Sequence, residues 1–245
     1  MEMYQLNSLG EKIKQNTMYE SIGLDLTKSQ VISFVGSGGK TTSIYHLANE
    51  LSSLGKRVII TTTTHMFLPT NNVILNEDRE QLLDLLHSNK IAVVGTPCSE
   101  NKITKVSTSF YNWLKTISDY LLVEADGSKR LPLKVPNHHE PVIPPDTNLT
   151  IILSGLTALT HPLIDCCHRW QLAADILNCH PTHPVTPIEA AKLINEGYCK
   201  KLTPPYKILL NQCTTPEQHQ NAVQMIKYLH SQGVSHHNIS FGHFF

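Results

Sequence analysis

The sequence has no excess of charge of either sign, no long apolar run and no closely spaced CxxC pair. Lys and Arg total 20, as do Asp and Glu, so the composition does not favour binding to nucleic acid or to an anionic membrane. No apolar stretch approaches the roughly 20 residues that a membrane-spanning helix needs, and the first residues lack the apolar centre of a signal peptide. We therefore expect a cytoplasmic protein without nucleic-acid or membrane partners.

The six cysteines do not predict disulfide bonds. A chain of 245 residues is long enough to bury a core without them. We predict reduced thiols at Cys98, Cys166, Cys167, Cys179, Cys199 and Cys213. The cluster of cysteines and histidines at residues 161–168 lacks the ligand spacing of a structural zinc site. Its thiols are interpreted either as small buried apolar groups or, because sulfur and selenium exchange readily, as groups that handle selenium.

Short apolar runs alternate with amphipathic stretches, which predicts a mostly parallel sheet covered by helices on both faces. We predict a single P-loop NTPase-like α/β domain over residues 29–245, after a polar and weakly helical lead-in over residues 1–28. The first long helix is expected to stop at Gly55, and two later helices begin with capping boxes at Thr186 and Thr215. The predicted strands are 31–35, 57–62, 91–95, 120–125, 149–154 and 206–211.

A glycine-rich loop lies between the first predicted strand and the first long helix. The N–H groups at such a helix start have no helical partner, and the helix dipole adds positive potential, so an anion is favoured there. Lys40 can extend along the β- and γ-phosphates, and the Thr41 hydroxyl can ligate the accompanying Mg²⁺. A flexible turn before an ordinary helix is the alternative. The predicted nucleotide-binding residues of this loop are Gly36, Ser37, Gly38, Gly39, Lys40, Thr41 and Thr42.

The loop pattern is GxxGK[ST] and is shorter than the Walker pattern GxxxxGK[ST]. Phe34 stands where the longer pattern requires its first glycine, five positions before Gly39. The shorter pattern resembles the compact P-loops of amide ligases of the Mur type. This resemblance makes ATP-driven activation of a carboxylate, or phosphorylation of a small molecule, one possible reaction of the protein.

Four threonines, Thr61–Thr64, end the second predicted strand and precede His65. Ligands of doubly wound sheets bind outside the carboxyl ends of the strands, so these hydroxyls lie beside the phosphate site if the two strands are neighbours. We predict a substrate or partner contact for Thr63 and Thr64, and a contact of one of the four with Mg²⁺ or the γ-phosphate. The alternative is that threonine simply suits a strand.

Two carboxylates, Glu124 and Asp126, end the fourth predicted strand. P-loop enzymes keep at this place the carboxylate that orients Mg²⁺ or a water molecule in its shell. Because side chains alternate along a strand, at most one of the two follows its inward face. We predict that both act in catalysis with Lys40 and in the Mg²⁺ shell with Thr41, without dividing the roles between them.

Charged residues crowd the segment that follows. Lys129, Arg130 and Lys134 can neutralise phosphate or bind an anionic substrate, although each one alone is better explained as a solvated loop residue. The His138–His139 pair is a poor metal site, because adjacent side chains on an extended segment point in opposite directions. Glu140 is expected to pair with one of the nearby basic side chains.

The last predicted strand ends in Asn211-Gln212-Cys213-Thr214, where GTPases have the guanine-reading sequence Asn-Lys-x-Asp. A threonine hydroxyl cannot replace the carboxylate that accepts two hydrogen bonds from guanine. The sequence therefore leaves ATP and GTP both open. Asn211 is predicted either to touch the base or to stiffen the neighbouring loop.

The motifs GSGGKTT, TTTTHMF, VEADGSKRLPLKVPNHHEPVIP and HRW resemble, in this order and at these separations, the YqeC family, described as selenium-dependent hydroxylase accessory proteins. The resemblance covers roughly residues 28–213. One departure is Arg169-Trp170, where relatives tend to have Arg-Pro, so a tight turn is not assured there. Carried over position by position, the family pattern marks Gly36, Gly38, Gly39, Lys40, Thr41, Thr42, Thr61–Thr64, Glu124, Asp126, Gly127, Ser128, Lys134, Glu140, Pro141, His168 and Arg169.

The resemblance implies a P-loop NTPase-like protein that matures or inserts the selenium-containing cofactor of a molybdenum hydroxylase. Its implied partner is that hydroxylase or the carrier of its cofactor. Two classes of function are open: Mg²⁺-dependent hydrolysis of ATP or GTP coupled to this role, and a nucleotide-dependent escort protein that turns over little. Substrate or partner contacts are assigned to Thr63, Thr64, Ser128, Lys129, Lys134, Glu140, His168 and Arg169.

Overall fold

One large, mostly parallel sheet organises the chain. In this computed structural model, residues 2–203 and 205–244 are described. The strands of these residues are β1 (Glu2–Leu6), β2 (Lys12–Gln15), β3 (Gln30–Gly36), β4 (Val58–Thr62), β5 (His65–Phe67), β6 (Val73–Ile74), β7 (Ile91–Val94), β8 (Thr96–Ser99), β9 (Lys102–Thr104), β10 (Tyr120–Glu124), β11 (Leu133–Lys134), β12 (Leu149–Gly155), β13 (Cys167–His168), β14 (Tyr206–Asn211) and β15 (Ile239–His243).

The main sheet places β3 near its centre. Within the described residues it has ten strands, in the order β2-β1-β15-β14-β12-β3-β10-β4-β7-β6. Neighbouring strands from β15 to β6 run parallel, whereas β1 pairs antiparallel with β15 and with β2. The loops that follow β3, β4, β10 and β12 therefore share one edge of the sheet, where ligands of such sheets bind.

Helices cover both faces of this sheet. On one face, α1 and α2 pack against side chains such as Ile32 and Phe34. The other helices pack on the opposite face, towards which Val31 and Val35 point, because successive strand residues face opposite sides. The helices are α1 (Met18–Ser21), α2 (Lys40–Ser53), α3 (Arg79–Asn89), α4 (Thr108–Ile117), α5 (Leu163–Cys166), α6 (Trp170–Leu177), α7 (Pro187–Ile194) and α8 (Pro216–Ser231).

The predicted architecture is confirmed: the protein is α/β, with a mostly parallel sheet and helices on both faces. All six predicted strands are present, as β3, β4, β7, β10, β12 and β14. Both predicted capping boxes form, at Thr186 and at Thr215, and Gly55 follows α2 with a φ angle of 79°. Within the described residues, no helix has the length and apolar character that crossing a bilayer requires.

The weakly helical character predicted for residues 1–28 is wrong. Two strands and the short helix α1 form there, and β1 pairs with β15 at the edge of the main sheet. Met3 and Leu6 of β1 are buried, so packing against the sheet outweighs the weak local preference. The division of the chain at residue 28 stays a prediction.

Two small sheets, which the sequence did not predict, lie outside the main one. One joins β5, β9 and β8 in antiparallel pairs, and the other joins β11 and β13 in parallel. The first contributes side chains from β5 and β9, and the second from β11 and β13, to the same region of the molecule.

Candidate functional site

The glycine-rich loop follows β3 directly and leads into α2. Gly36, Gly38 and Gly39 have φ angles of 91°, 82° and 115°, a region that residues with side chains disfavour. A Cβ atom at Gly36 would lie 2.2 Å from the Leu153 carbonyl oxygen, and one at Gly38 would lie 2.3 Å from the Gly155 nitrogen. Gly36 and Gly38 are therefore required both by the turn and by the close approach of β12.

Neighbouring segments hold the loop in place. The Ser37 N–H donates to the Leu153 carbonyl at 2.9 Å. Asn211 is fully buried at the end of β14, where it donates to the Gly38 carbonyl at 2.7 Å and accepts from a backbone N–H at 3.2 Å. Because both ends of its amide group are engaged, these contacts favour the loop-stiffening role of Asn211. Its contact with a nucleotide base stays a prediction.

Lys40, the first residue of α2, is buried against the loop. Its ammonium group donates to the Gly36 carbonyl at 2.7 Å and lies 3.0 Å from Asp126 Oδ1. Asp126 is also fully buried, and its Oδ2 accepts from the Gly36 N–H and from the Tyr198 hydroxyl, both at 3.0 Å. Lys40 is thus placed at the loop, but its ammonium group must leave the Gly36 carbonyl and Asp126 to reach a phosphate group.

A row of charges of alternating sign extends from Lys40 and Asp126 through buried Lys134 to the partly buried Glu140 and Arg169. Lys134 Nζ lies 3.0 Å from Asp126 Oδ2 and 2.7 Å from Glu140 Oε2, and Arg169 Nη1 lies 2.5 Å from the same Glu140 oxygen. Burial lowers the pKa of Lys134, an effect that the two carboxylates oppose. We call these five residues the charge row. The expected pairing of Glu140 with a basic side chain is confirmed.

Glu124 ends β10 beside the first turn of α2. The Thr41 hydroxyl donates to Glu124 Oε2 at 3.0 Å. Burial raises the pKa of the Glu124 carboxyl group, although the charge of Lys40 opposes this effect. Hydroxyl and carboxylate oxygens are ligands that Mg²⁺ prefers, so this pair fits the metal ion that accompanies the phosphates. The contacts of Asp126 with two lysines favour a positioning role, and its place in the Mg²⁺ shell stays a prediction.

A cavity of about 490 Å³ opens beside Glu124. This volume lies in the range of small-molecule sites, roughly 300–1,000 Å³. Four of the predicted substrate or partner residues line it together: Ser128, Lys129, Glu140 and His168. The other lining residues come from α2, β5, β9 and the turn after β10, and they are Thr41, His65, Met66, Phe67, Lys102, Gly127 and Arg130.

His168 carries no charge in this cavity at neutral pH. Burial, together with the nearby charges of Arg169 and Lys134, lowers its pKa to about 4. A neutral imidazole ring has one donor and one acceptor nitrogen. The positive charge of the cavity wall therefore comes from its lysine and arginine side chains.

The threonines at the end of β4 bond mainly to the backbone. The hydroxyls of Thr61, Thr62 and Thr63 donate to carbonyls of neighbouring segments at 2.9, 2.9 and 2.6 Å. Thr63 lines a second cavity, of about 260 Å³. In the described part of the chain, neither Thr63 nor Thr64 lines the cavity beside Glu124. Their substrate or partner contact stays a prediction.

The cysteines form no metal site. Across residues 2–203 and 205–244, no three His, Cys, Asp or Glu side chains are grouped as ligands of one metal ion. Burial raises the pKa of Cys166 to about 11 and that of Cys167 to about 12. Both thiols therefore stay protonated at neutral pH and pack as small apolar groups. None of the six cysteines is paired in a disulfide bond in this structure, and their reduced state stays a prediction.

Sequence reasoning missed several residues of the site. Tyr198 lies in a π-helical turn, Asn195–Cys199, and no local pattern connects it with Asp126. Phe67 and Lys102 reach the cavity through the small sheet of β5 and β9. The alternation in His65–Phe67 and Lys102–Thr104 is a weak strand signal that points to these residues.

Comparison of the sequence with known families gives one family match. The sequence model of the YqeC protein family matches residues 32–171, which include the loop, both carboxylates and the charge row. The chain is also 36% identical, over 158 residues, to the uncharacterized protein YqeC of Escherichia coli (strain K12). The matched segment covers 62% of this chain and 62% of that protein, so the match spans less than two thirds of the relative's length.

The chain also matches solved structures, at low sequence identity and with TM-scores below 0.5. The MinC:MinD cell division protein complex of Aquifex aeolicus matches with a TM-score of 0.41 and 12% identity, over 82% of this chain and 78% of that chain. FtsY of Mycoplasma mycoides matches with a TM-score of 0.32 and 16% identity, over 87% of this chain and 52% of that chain.

Proposed function

Because the chain belongs to the YqeC family and has a glycine-rich loop whose threonine meets a buried glutamate, we propose that it binds a nucleoside triphosphate with Mg²⁺ and hydrolyses it. The contact of Thr41 with Glu124, beside Lys40, carries this proposal. The site brings together a helix start that can bind phosphate, two oxygen ligands for Mg²⁺ and a carboxylate that can accept a proton from water.

The chain's own residues supply positioning and proton transfer. The loop N–H groups and Lys40 hold the β- and γ-phosphates. Thr41 and Glu124 would hold Mg²⁺, which would neutralise the charge that develops on these phosphates. A water oxygen forms a bond to the γ-phosphorus while the bond to the bridging oxygen breaks, and the electron pair leaves with the diphosphate. The proton of the water passes to Glu124, a carboxylate whose pKa is raised by burial.

The substitution Glu124→Gln is expected to separate binding from turnover. Glutamine keeps the size and polarity of the side chain but cannot take the proton, so hydrolysis should fall by about 10² or more while Mg·nucleotide still binds. Steady-state release of phosphate and titration with AMP-PNP measure the two quantities.

The matched control for this experiment is Glu80→Gln, which changes an exposed glutamate in the first turn of α3. It should leave both quantities unchanged. Hydrolysis by Glu124→Gln at the parental rate would contradict the role of Glu124. Nucleotide binding without hydrolysis in the parent protein would favour the escort function instead.

The finer role is a proposal that rests on the family resemblance. In it, hydrolysis accompanies the maturation or insertion of the selenium-containing cofactor of a molybdenum hydroxylase. The loops after β4 and β10 lie at the same sheet edge as the glycine-rich loop, so a γ-phosphate can order them. We expect a molybdenum hydroxylase to be retained more strongly by the AMP-PNP-loaded protein than by the ADP-loaded protein in a pull-down. Equal retention would contradict a nucleotide-dependent partner.

A second candidate function is phosphorylation of a small molecule. It is favoured by the cavity of about 490 Å³, because Thr41 and Glu124 themselves line this cavity. An acceptor oxygen in this cavity would replace water in the same step, and its proton would pass to Glu124. Product analysis by mass spectrometry distinguishes a phosphorylated acceptor from free phosphate.

A further inference from the structure

The cavity beside Glu124 lies at the γ-phosphate end of the glycine-rich loop. The hydroxyl that follows the lysine of such loops is directed at Mg²⁺, which accompanies the β- and γ-phosphates. Thr41 is that residue here, and it lines the cavity together with Glu124. A molecule in the cavity would therefore meet the terminal phosphate, while the nucleotide base lies away from it.

An exposed aromatic ring forms part of the cavity wall. Phe67, in β5, retains half of its surface exposed. The Arg130 guanidinium lies 4.3 Å from the centroid of the ring, and the Lys102 ammonium lies 5.5 Å from it. Aromatic rings and guanidinium planes are the surfaces on which proteins stack planar ligands. Phe67 and the guanidinium that lies over it therefore form a stacking surface that carries positive charge.

The turn that carries Lys129 and Arg130 has a strained backbone. Their φ angles are 50° and 61°, in the left-handed region that residues with side chains disfavour. Such strain persists where the surrounding structure enforces it, which is often at ligand-binding positions. The next residue, Leu131, accepts a hydrogen bond from the Ser37 hydroxyl of the glycine-rich loop. The turn is thus tied to the phosphate site while it presents two cations to the cavity.

Three cations consequently line the cavity together with the exposed ring: Lys102, Lys129 and Arg130. The carboxylates of the wall are engaged elsewhere, because Glu124 accepts from Thr41 and Glu140 pairs with Lys134 and Arg169. The three cations are therefore available to an anionic ligand. A small aliphatic anion would leave the aromatic surface unused, whereas a planar aromatic anion would use both features.

We propose that this cavity binds a second substrate that is a planar aromatic molecule with a phosphate or carboxylate group. Its ring stacks on Phe67, and its anionic group contacts Lys102, Lys129 and Arg130. The inference rests on the proposed function, since the substrate's place next to the γ-phosphate follows from nucleotide binding at the glycine-rich loop.

The probe for this inference is 4-methylumbelliferyl phosphate, which combines a planar ring with a phosphate group. Calorimetric titration of the full chain loaded with Mg·AMP-PNP should show saturable binding of this probe. 4-Methylumbelliferone, which lacks the phosphate, and inorganic phosphate, which lacks the ring, should each bind at least about tenfold more weakly.

Two substitutions test the wall. Phe67→Leu and Arg130→Gln should each weaken binding of the probe at least about tenfold and leave the affinity for AMP-PNP unchanged. The matched control is Arg79→Gln, because Arg79 lies over the ring of Trp113 at 4.8 Å but outside the cavity. This control should bind the probe like the parent protein.

The outcomes separate this inference from the proposed function. AMP-PNP binding without probe binding overturns the second-substrate site and leaves nucleotide binding intact. Competition between AMP-PNP and the probe also overturns it, because the ring surface would then belong to the nucleotide base. Probe binding that depends on Phe67 and Arg130, without any AMP-PNP binding, supports the aromatic-anion site and overturns the proposed function.

Discussion

The substitution Lys40→Met should weaken the binding of Mg·nucleotide at least about 30-fold, which corresponds to about 2 kcal/mol or more. Lys40 begins α2 at the glycine-rich loop, and its ammonium group already lies within 2.7 Å of the loop carbonyl of Gly36. No other side-chain cation within the described residues is placed by the loop sequence itself. Methionine keeps the length and the apolar stem but removes the charge. Titration with AMP-PNP measures the effect.

The control for this experiment is Lys56→Met, at the opposite end of the sheet. Lys56 precedes β4 and donates to the Leu26 carbonyl at 2.9 Å, so its loss should not change nucleotide affinity. The unfolding transition of each variant shows whether it is folded. An unchanged affinity in a folded Lys40→Met protein would remove the assignment of the loop to phosphate.

The substitution Asp126→Asn should lower the free energy of unfolding by about 3–5 kcal/mol. Asp126 is the fully buried carboxylate between Lys40 and Lys134, each at 3.0 Å. Asparagine would leave both ammonium groups facing a neutral amide at a position that is fully buried from solvent. Urea unfolding, followed by circular dichroism, measures the difference.

The matched control is Asp119→Asn, which removes a partly exposed pair with Arg57. That change should cost about 1 kcal/mol or less, as surface pairs usually do. A loss for Asp126→Asn that is no larger than this would contradict the central role of Asp126 in the charge row. If Asp126 only positions the lysines, the loss of AMP-PNP affinity in the folded variant should be the same with and without Mg²⁺. A loss that appears only with Mg²⁺ would instead support a direct contact of Asp126 with the metal ion.

The sequence predicted those parts of the fold that local patterns determine. Buried parallel strands read as apolar runs, and caps such as Thr186 and Thr215 mark helix starts by their own residues. The edge hairpin of β1 and β2 has no such signal, because its burial depends on β15, more than 200 residues away along the chain. Local preference therefore gave the wrong structure for residues 1–28.

The candidate site could be predicted residue by residue but not as an arrangement. Its loop and the residues Glu124 and Asp126 stand in recognisable motifs. The difference in role between these two carboxylates depends on Tyr198 and Lys134, which approach Asp126 from separate segments. The pairing of Phe67 with Arg130 likewise joins two loops whose meeting no sequence pattern determines.

The two outer strands of the main sheet bear on how the protein behaves at high concentration. An unpaired strand edge can recruit the edge of another molecule and start aggregation. On one side, β2 presents the exposed side chains of Lys12 and Lys14, so a second copy approaching the same edge would meet like charges. On the other side, β6 has only the two residues Val73 and Ile74, which offer little backbone for pairing. Both edges therefore disfavour extension of the wide sheet from one molecule into the next.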